Sequence, residues 1–134
     1  MNNCIFCDIV SGKEPCYKIY ENEYVLAILD ILNDCSGHTL VIPKKHYESV
    51  LDCDKFYLEQ VICAVQTVSN HYVNNCGFDG VNIMNASGDG SEQSIFHLHF
   101  HILPRKKSDG MHTFPQLPKN KLSLKQMHKK LKIN

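Results

Sequence analysis

Apolar and polar positions alternate in short runs along this chain, interrupted once by a long stretch with helical spacing. Residues 17–20 and 24–29 are β-type runs, and Glu21-Asn22-Glu23 between them reads as a hairpin turn. Ser36-Gly37 marks another turn, followed by a strand over residues 38–42 that Pro43 stops. From about residue 55 to 74, Leu58, Val61, Ile62, Val65, Val68 and Tyr72 recur every three or four residues, which predicts a helix with one apolar stripe. Asp52 or Asp54 can cap its start, and Asn75 with Gly77 can end it. Cys63, at an apolar position of that helix, reads as a small core residue. Residues 81–84 form a further strand, and residues 4–10 a short first helix ended by Ser11-Gly12. Near the C-terminus, Leu124, Met127 and Leu131 line up on one face of a short basic helix. Most connections are too short for crossover helices, so the pattern predicts an α+β fold with a largely antiparallel sheet.

The alternation is sharpest at His97-Leu98-His99-Phe100-His101. Residues two apart on a strand share a face, so an extended segment would present three imidazoles on one side. Leu98, Phe100 and Ile102 would then point into a core. The aromatic and branched neighbours favour a strand, and Pro104 helps end it. Imidazole serves as nucleophile, proton carrier or metal ligand, and the row alone leaves all three open. Just ahead lies a polar loop over residues 85–94. There Ser87, Ser91, Gln93 and Ser94 offer donors, while Gly88 and Gly90 let a ligand approach the backbone. That composition suits an anion held against the histidines. At the other end of the chain, Cys4-x-x-Cys7 is a natural two-ligand clip for zinc.

Composition narrows the class. A chain of 134 residues suits one domain with one core. Fourteen basic and fourteen acidic residues cancel, which argues against a nucleic-acid or membrane partner. No apolar run approaches a membrane span. The start Met-Asn-Asn-Cys lacks the basic and apolar regions of an export signal, and the seven cysteines are odd in number. Both point to a cytoplasmic protein with reduced thiols. The charge is uneven: nine Lys or Arg and one acid, Asp109, fall from Arg105 onward. The tail reads as a solvated basic segment, or as a cover that attracts a polyanion.

Taken in order, three blocks resemble the histidine-triad family of nucleotide hydrolases and transferases. The first is Cys4-Ile5-Phe6-Cys7-Asp8-Ile9-Val10. The second is Leu29-Asp30-Ile31 ahead of Gly37-His38-Thr39-Leu40-Val41-Ile42-Pro43-Lys44-Lys45-His46. The third is His97-Leu98-His99-Phe100-His101-Ile102-Leu103. The resemblance covers residues 4–104, within a single domain over 1–134 whose basic extension is 105–134. It implies a five-stranded antiparallel sheet with one long helix and a short N-terminal helix. It also implies a homodimer in which the sheet continues across both copies, with the C-terminal segment near the partner's active site.

The resemblance also implies roles. His99 matches a nucleophile that attacks the α-phosphorus to give a covalent nucleotidyl-histidine, which water then resolves. His101 matches a residue that contacts phosphate and assists the leaving group, and His38 a fourth histidine that orients the row or relays protons. Gln93 and Ser94 match phosphate and leaving-group contacts, and Asn85 a residue beside the nucleophile. Asp30 matches the carboxylate that binds ribose hydroxyls. Phe6, Ile9, Ile31 and Leu40 match the apolar walls around the base. In similar proteins a structural zinc is held by residues matching Cys4, Cys7, His46 and His97, with no organic cofactor. Such a zinc would tie the N-terminus to the sheet and hold His97 in one tautomer. The implied activity is hydrolysis of purine nucleoside phosphoramidates or dinucleoside polyphosphates. The alternatives are nucleotidyl transfer to another acceptor, or a zinc-stabilised nucleotide-binding scaffold with little turnover. His101, where many transferases of the superfamily carry Gln, favours hydrolysis. The sequence departs from the pattern in the loop between Asn85 and Gln93, which is one residue longer than usual. Glu92 also stands where a glycine commonly precedes the glutamine, and an acid there repels polyphosphate unless it points away.

Overall fold

The computed structural model describes residues 3–134; Met1 and Asn2, part of the stretch read for an export signal, lie outside the described residues. Eight elements follow one another: α1 (Ile5–Val10), β1 (Lys18–Glu21), β2 (Val25–Leu29), β3 (Thr39–Pro43), α2 (Lys55–Asn75), β4 (Gly80–Met84), β5 (Phe100–Arg105) and α3 (Leu124–Leu131). The five strands form one sheet in the order β1-β2-β3-β5-β4, every neighbouring pair antiparallel. Asn22 makes the first hairpin, its side-chain oxygen accepting from the amides of Tyr24 and Val25. Pro43, expected to stop β3, is its last residue and pairs with Val25.

The strict alternation along β2 and β3 builds two cores. Val25, Ala27 and Val41, with Ile102 of β5, pack against Val61, Val65, Val68 and Tyr72 of α2. Leu26, Ile28, Leu40 and Ile42 face the other way and pack with Phe6 and Cys4. Each fully buried branched side chain contributes about 1.5–3 kcal/mol by leaving water, so both faces are strongly specified. A one-residue slip in β3 would exchange the two sets. His101 shares the α1-facing side with Leu40, its partner across β3 and β5. Met84 of β4 flanks it on the other strand.

Three sequence expectations shift. The helical stripe of α2 is Val61, Ala64, Val65, Val68, Ser69 and Tyr72. Ile62 is 46% exposed and Cys63 is exposed rather than in the core. At about 100° per residue, Cys63 lies on the far side of the helix from Val61. The start of α2 follows Asp54, but no side chain caps it. Asp52 instead accepts from the amides of Glu48 and Ser49. At the other end Gly77 takes φ +82°, and the amides of Cys76 and Phe78 both donate to the Tyr72 carbonyl. Finally, β5 begins only at Phe100, so His101 alone of the three histidines lies on a strand. The backbone of 97–99 is irregular because it is pinned from outside the sheet: the Leu98 amide donates to the Tyr47 carbonyl, 2.7 Å away.

The tail helix α3 forms where expected, closed by a capping box between Ser123 and Gln126. It buries no residue; Leu124 and Leu131 are exposed. Among the described residues no helix is long and apolar enough to cross a membrane.

Candidate functional site

The β2–β3 connection, α1 and the irregular run ahead of β5 meet on one side of the sheet. Between them lies a cleft of about 860 Å³. Phe6, Ile9, Ile28 and Leu40 supply apolar wall, and His99, His101, His38 and Asp30 supply polar groups. Ile31 lies at its mouth and is 85% exposed. Ser94 also lines the cleft.

His99 is buried, with its ring edge-on to Phe6 at 5.3 Å and to His101 at 5.0 Å. Its Nδ1 lies 2.8 Å from the carbonyl oxygen of His97. A carbonyl only accepts, so Nδ1 carries the proton and Nε2 keeps the lone pair. Asn85 steadies the same stretch, its amide donating to the His99 carbonyl at 2.9 Å. His101 Nδ1 lies 2.8 Å from His38 Nε2, and His38 Nδ1 lies 2.6 Å from an Asp34 oxygen. Burial, then the neighbouring His99 and His38, pushes His101 down to about 4. Burial thus favours the neutral ring near pH 7. Asp30 accepts from the Leu32 amide, and its own amide donates to the His38 carbonyl. Its other oxygen is 3.7 Å from His38 Nε2.

The loop residues are engaged within the protein. The Gln93 side chain is spent on the backbone: its oxygen accepts from the Gly88 amide, and its nitrogen donates to the carbonyls of Glu48 and Ile95. Asn85 stands beside His99 as expected, on the side away from the cleft lining. Ser87 and Ser91 likewise donate inward, to Asn85 and to the Gly88 carbonyl. The loop is thus a brace for the histidine run, with Ser94 its member on the cleft. Glu92 takes φ +66°, a left-handed conformation that favours glycine and costs other residues about 1 kcal/mol or more. Cys16 and Asp34 are among the lining residues that no motif of the sequence points to. They sit in polar links whose spacing resembles that of any turn.

A second cluster lies behind Phe6, whose ring also meets His97 edge-on at 5.6 Å. Donor atoms of Cys4, Cys7, His46 and His97 all fall within 4.8 Å of one another. His97 Nδ1 is 3.3 Å from Cys4 Sγ and 3.6 Å from Cys7 Sγ. His46 Nδ1 is 3.3 Å from Cys7 Sγ and 3.1 Å from His97 Nδ1. Bond lengths of about 2.3 Å to sulfur and 2.0–2.1 Å to nitrogen imply tetrahedral edges of about 3.3–3.8 Å. The three sulfur–nitrogen spacings, 3.3, 3.3 and 3.6 Å, fall in that range, and the nitrogen–nitrogen spacing of 3.1 Å lies just below it. His97 Nε2 donates to the Pro43 carbonyl at 2.9 Å, leaving Nδ1 free for a metal ion. Burial holds His97 down to about 4, in the neutral form that ligates. Burial and Cys4 push the Cys7 thiol up to about 11. A cation would reverse that and displace its proton.

Comparison with known proteins places this arrangement. The HIT domain matches residues 11–108. An uncharacterized HIT-like protein of Borreliella burgdorferi is 46% identical over 112 residues, 82% of this chain and 81% of its own. The chain belongs to the HIT family. Among its relatives is an adenylylsulfatase, HINT3, of Arabidopsis thaliana, 37% identical over 123 residues, 92% of this chain and 62% of its own. The crystal structure of a Zn-bound histidine triad family protein from Mycobacterium smegmatis matches with a TM-score of 0.78. That protein is 36% identical, and the match covers 87% of this HIT chain and 84% of the other.

Proposed function

We propose that this HIT protein is a nucleotidyl hydrolase with His99 as its nucleophile, acting on purine nucleoside phosphoramidates or dinucleoside polyphosphates. The observation that carries the reading is the His99 tautomer. The His97 carbonyl takes Nδ1–H, which leaves Nε2 as the attacking nitrogen in a cleft lined by apolar wall and an acid. Attack forms a P–Nε2 bond at the α-phosphorus and releases the leaving group; water then breaks that bond. The neutral His101 beside it is the proton carrier. Asp30 has an oxygen free of the Leu32 amide for ribose hydroxyls, and Phe6, Ile9, Ile31 and Leu40 hold the base. The relative that is an adenylylsulfatase supports a reaction at an α-phosphorus, since adenylyl sulfate is an anhydride there.

Zinc is the metal we assign to Cys4, Cys7, His46 and His97. A closed four-ligand set leaves no open position for substrate, so its part is structural. It would fasten α1, and with it Phe6, to the histidine run. We also propose a homodimer joined at β4, an edge strand whose Ile83 and Met84 are about half exposed.

The deciding experiment is rapid quench with labelled adenosine 5′-phosphoramidate. The expected result is a protein-bound adenylyl group that forms and decays at catalytic rates, and that His99→Ala abolishes together with turnover. Wild-type turnover by His99→Ala overturns the reading.

A further inference from the structure

No motif singles out Asp34, yet its carboxylate makes the shortest polar contact in the cleft, 2.6 Å to His38 Nδ1. A carboxylate at pH 7 only accepts, so that nitrogen of His38 must carry a proton. Asp34 is correspondingly held below the usual carboxylate range, chiefly by this bond. A neutral His38 then has its lone pair on Nε2. It can only accept from His101 Nδ1, 2.8 Å away. The remaining nitrogen of His101, Nε2, is left unprotonated.

The opposite arrangement is equally possible for two isolated imidazoles. His38 Nε2–H would donate to His101 Nδ1, and His101 would present Nε2–H. Asp34 selects between these two states. Asp30 pulls the other way, since its oxygen faces His38 Nε2, but at 3.7 Å it is beyond hydrogen-bond reach. The other titratable neighbours do not compete. His99 spends its Nδ1 on the His97 carbonyl, and the Cys35 thiol beside His38 is kept protonated by burial.

We propose that Asp34 is a positioning residue for the hydrolysis step: by fixing the His38 tautomer it keeps His101 Nε2 as a proton acceptor and steadies the imidazolium formed there. The proposal rests on the nucleotidyl-histidine reading. In that step the water oxygen bonds to phosphorus, the P–Nε2 bond to His99 breaks, and the pair returns to His99. The water proton moves to His101 Nε2. His101 then donates Nδ1–H to His38, which donates Nδ1–H to Asp34, and no proton need pass beyond His101. Solvent takes the proton as the nucleotide leaves. The same Asp-His logic operates in serine hydrolases, where the carboxylate orients and stabilises without being protonated. Here the carboxylate side chain is 55% exposed, which weakens its hold.

The test compares wild type with Asp34→Ala and Asp34→Glu on adenosine 5′-phosphoramidate, together with ¹⁵N NMR of the histidines without substrate. Expected for Asp34→Ala is a fall in kcat of about tenfold to hundredfold, with KM changed little. Decay of the adenylyl-His99 adduct slows by the same factor, so the adduct accumulates. Asp34→Glu restores most of the rate. NMR shows His38 as the Nδ1–H tautomer in wild type and shifted toward Nε2–H in Asp34→Ala. Unchanged adduct decay, or an unchanged His38 tautomer, overturns the proposal. A rate loss that Asp34→Glu does not rescue, with the tautomer unchanged, marks structural damage and also overturns it. Absence of any adduct, with full turnover in His99→Ala, instead defeats the nucleotidyl-histidine reading, and the role for Asp34 in hydrolysis falls with it.

Discussion

His97 and His101 stand four residues apart, both pushed down to about 4 by burial, yet they face partners of opposite character. His97 turns toward two thiols and a second imidazole, a donor set that suits a metal ion. His101 turns toward His38, which Asp34 holds from its other side, and toward an open cleft. Between them in the chain, His99 differs from His97 in which ring nitrogen is already spent. His97 gives Nε2–H to the Pro43 carbonyl and frees Nδ1, whereas His99 gives Nδ1–H to the His97 carbonyl and frees Nε2. One backbone carbonyl per ring sets which nitrogen stays free, and Phe6 stands edge-on to both rings.

The two clusters should separate most sharply on substitution of His99. His99→Ala is expected to lower turnover at least about 10³-fold, while metal content and melting temperature change little. A large loss of metal in this variant would mean that the two clusters are not separate. Removing the metal tests the other side. Cys4→Ser, or a strong chelator, is expected to release zinc and lower Tm by about 10 °C or more. Metal analysis and calorimetry on one sample check both, and release should be easier at lower pH as the thiols regain their protons.

Phe6→Ala strikes both regions together. Its ring is 3% exposed, so truncation should cost about 3–5 kcal/mol of stability in denaturant titration. It should also weaken both metal retention and nucleotide binding. Acid gives a finer probe. Because burial depresses the folded pKa of His101, the neutral ring adds stability above pH about 6.5, which is lost as pH falls toward about 4. A His101→Gln variant should lose less Tm over that window. Smallest is the tail. Since α3 buries nothing, deleting residues 111–134 should shift Tm by only a few °C. The deletion should nevertheless change the ratio of activities on a phosphoramidate and a dinucleoside polyphosphate, and an unchanged ratio would remove any role in selectivity.

Much of the fold was legible locally. Alternation located the strands and the recurrence at three and four residues located α2, because both follow from backbone periodicity. The face of α2 was legible only in part: Ile62 and Cys63 are apolar, and nothing local tells which of several apolar residues meets the sheet. The start of β5 was not legible, since the bond from the Leu98 amide to Tyr47 joins residues fifty-one apart. The partners of Gln93 were not legible for a similar reason. Its amide matches a phosphate contact in composition, but the carbonyls of Glu48 and Ile95 and the amide of Gly88 occupy it.

By itself the sequence determined the antiparallel α+β plan, the two-faced strands, the Cys-x-x-Cys clip and the three imidazoles that share one neighbourhood. These depend on the periods of strand and helix and on residue type. The tertiary structure decided which group each imidazole meets. Cys4 meets His97 across 93 residues, Cys7 meets His46 across 39, and His38 meets His101 across 63. Such contacts exist only once the sheet order is set. The carbonyls of Pro43 and His97 and the carboxylate of Asp34 then assign each proton, because an acceptor at hydrogen-bond distance leaves a ring nitrogen no choice.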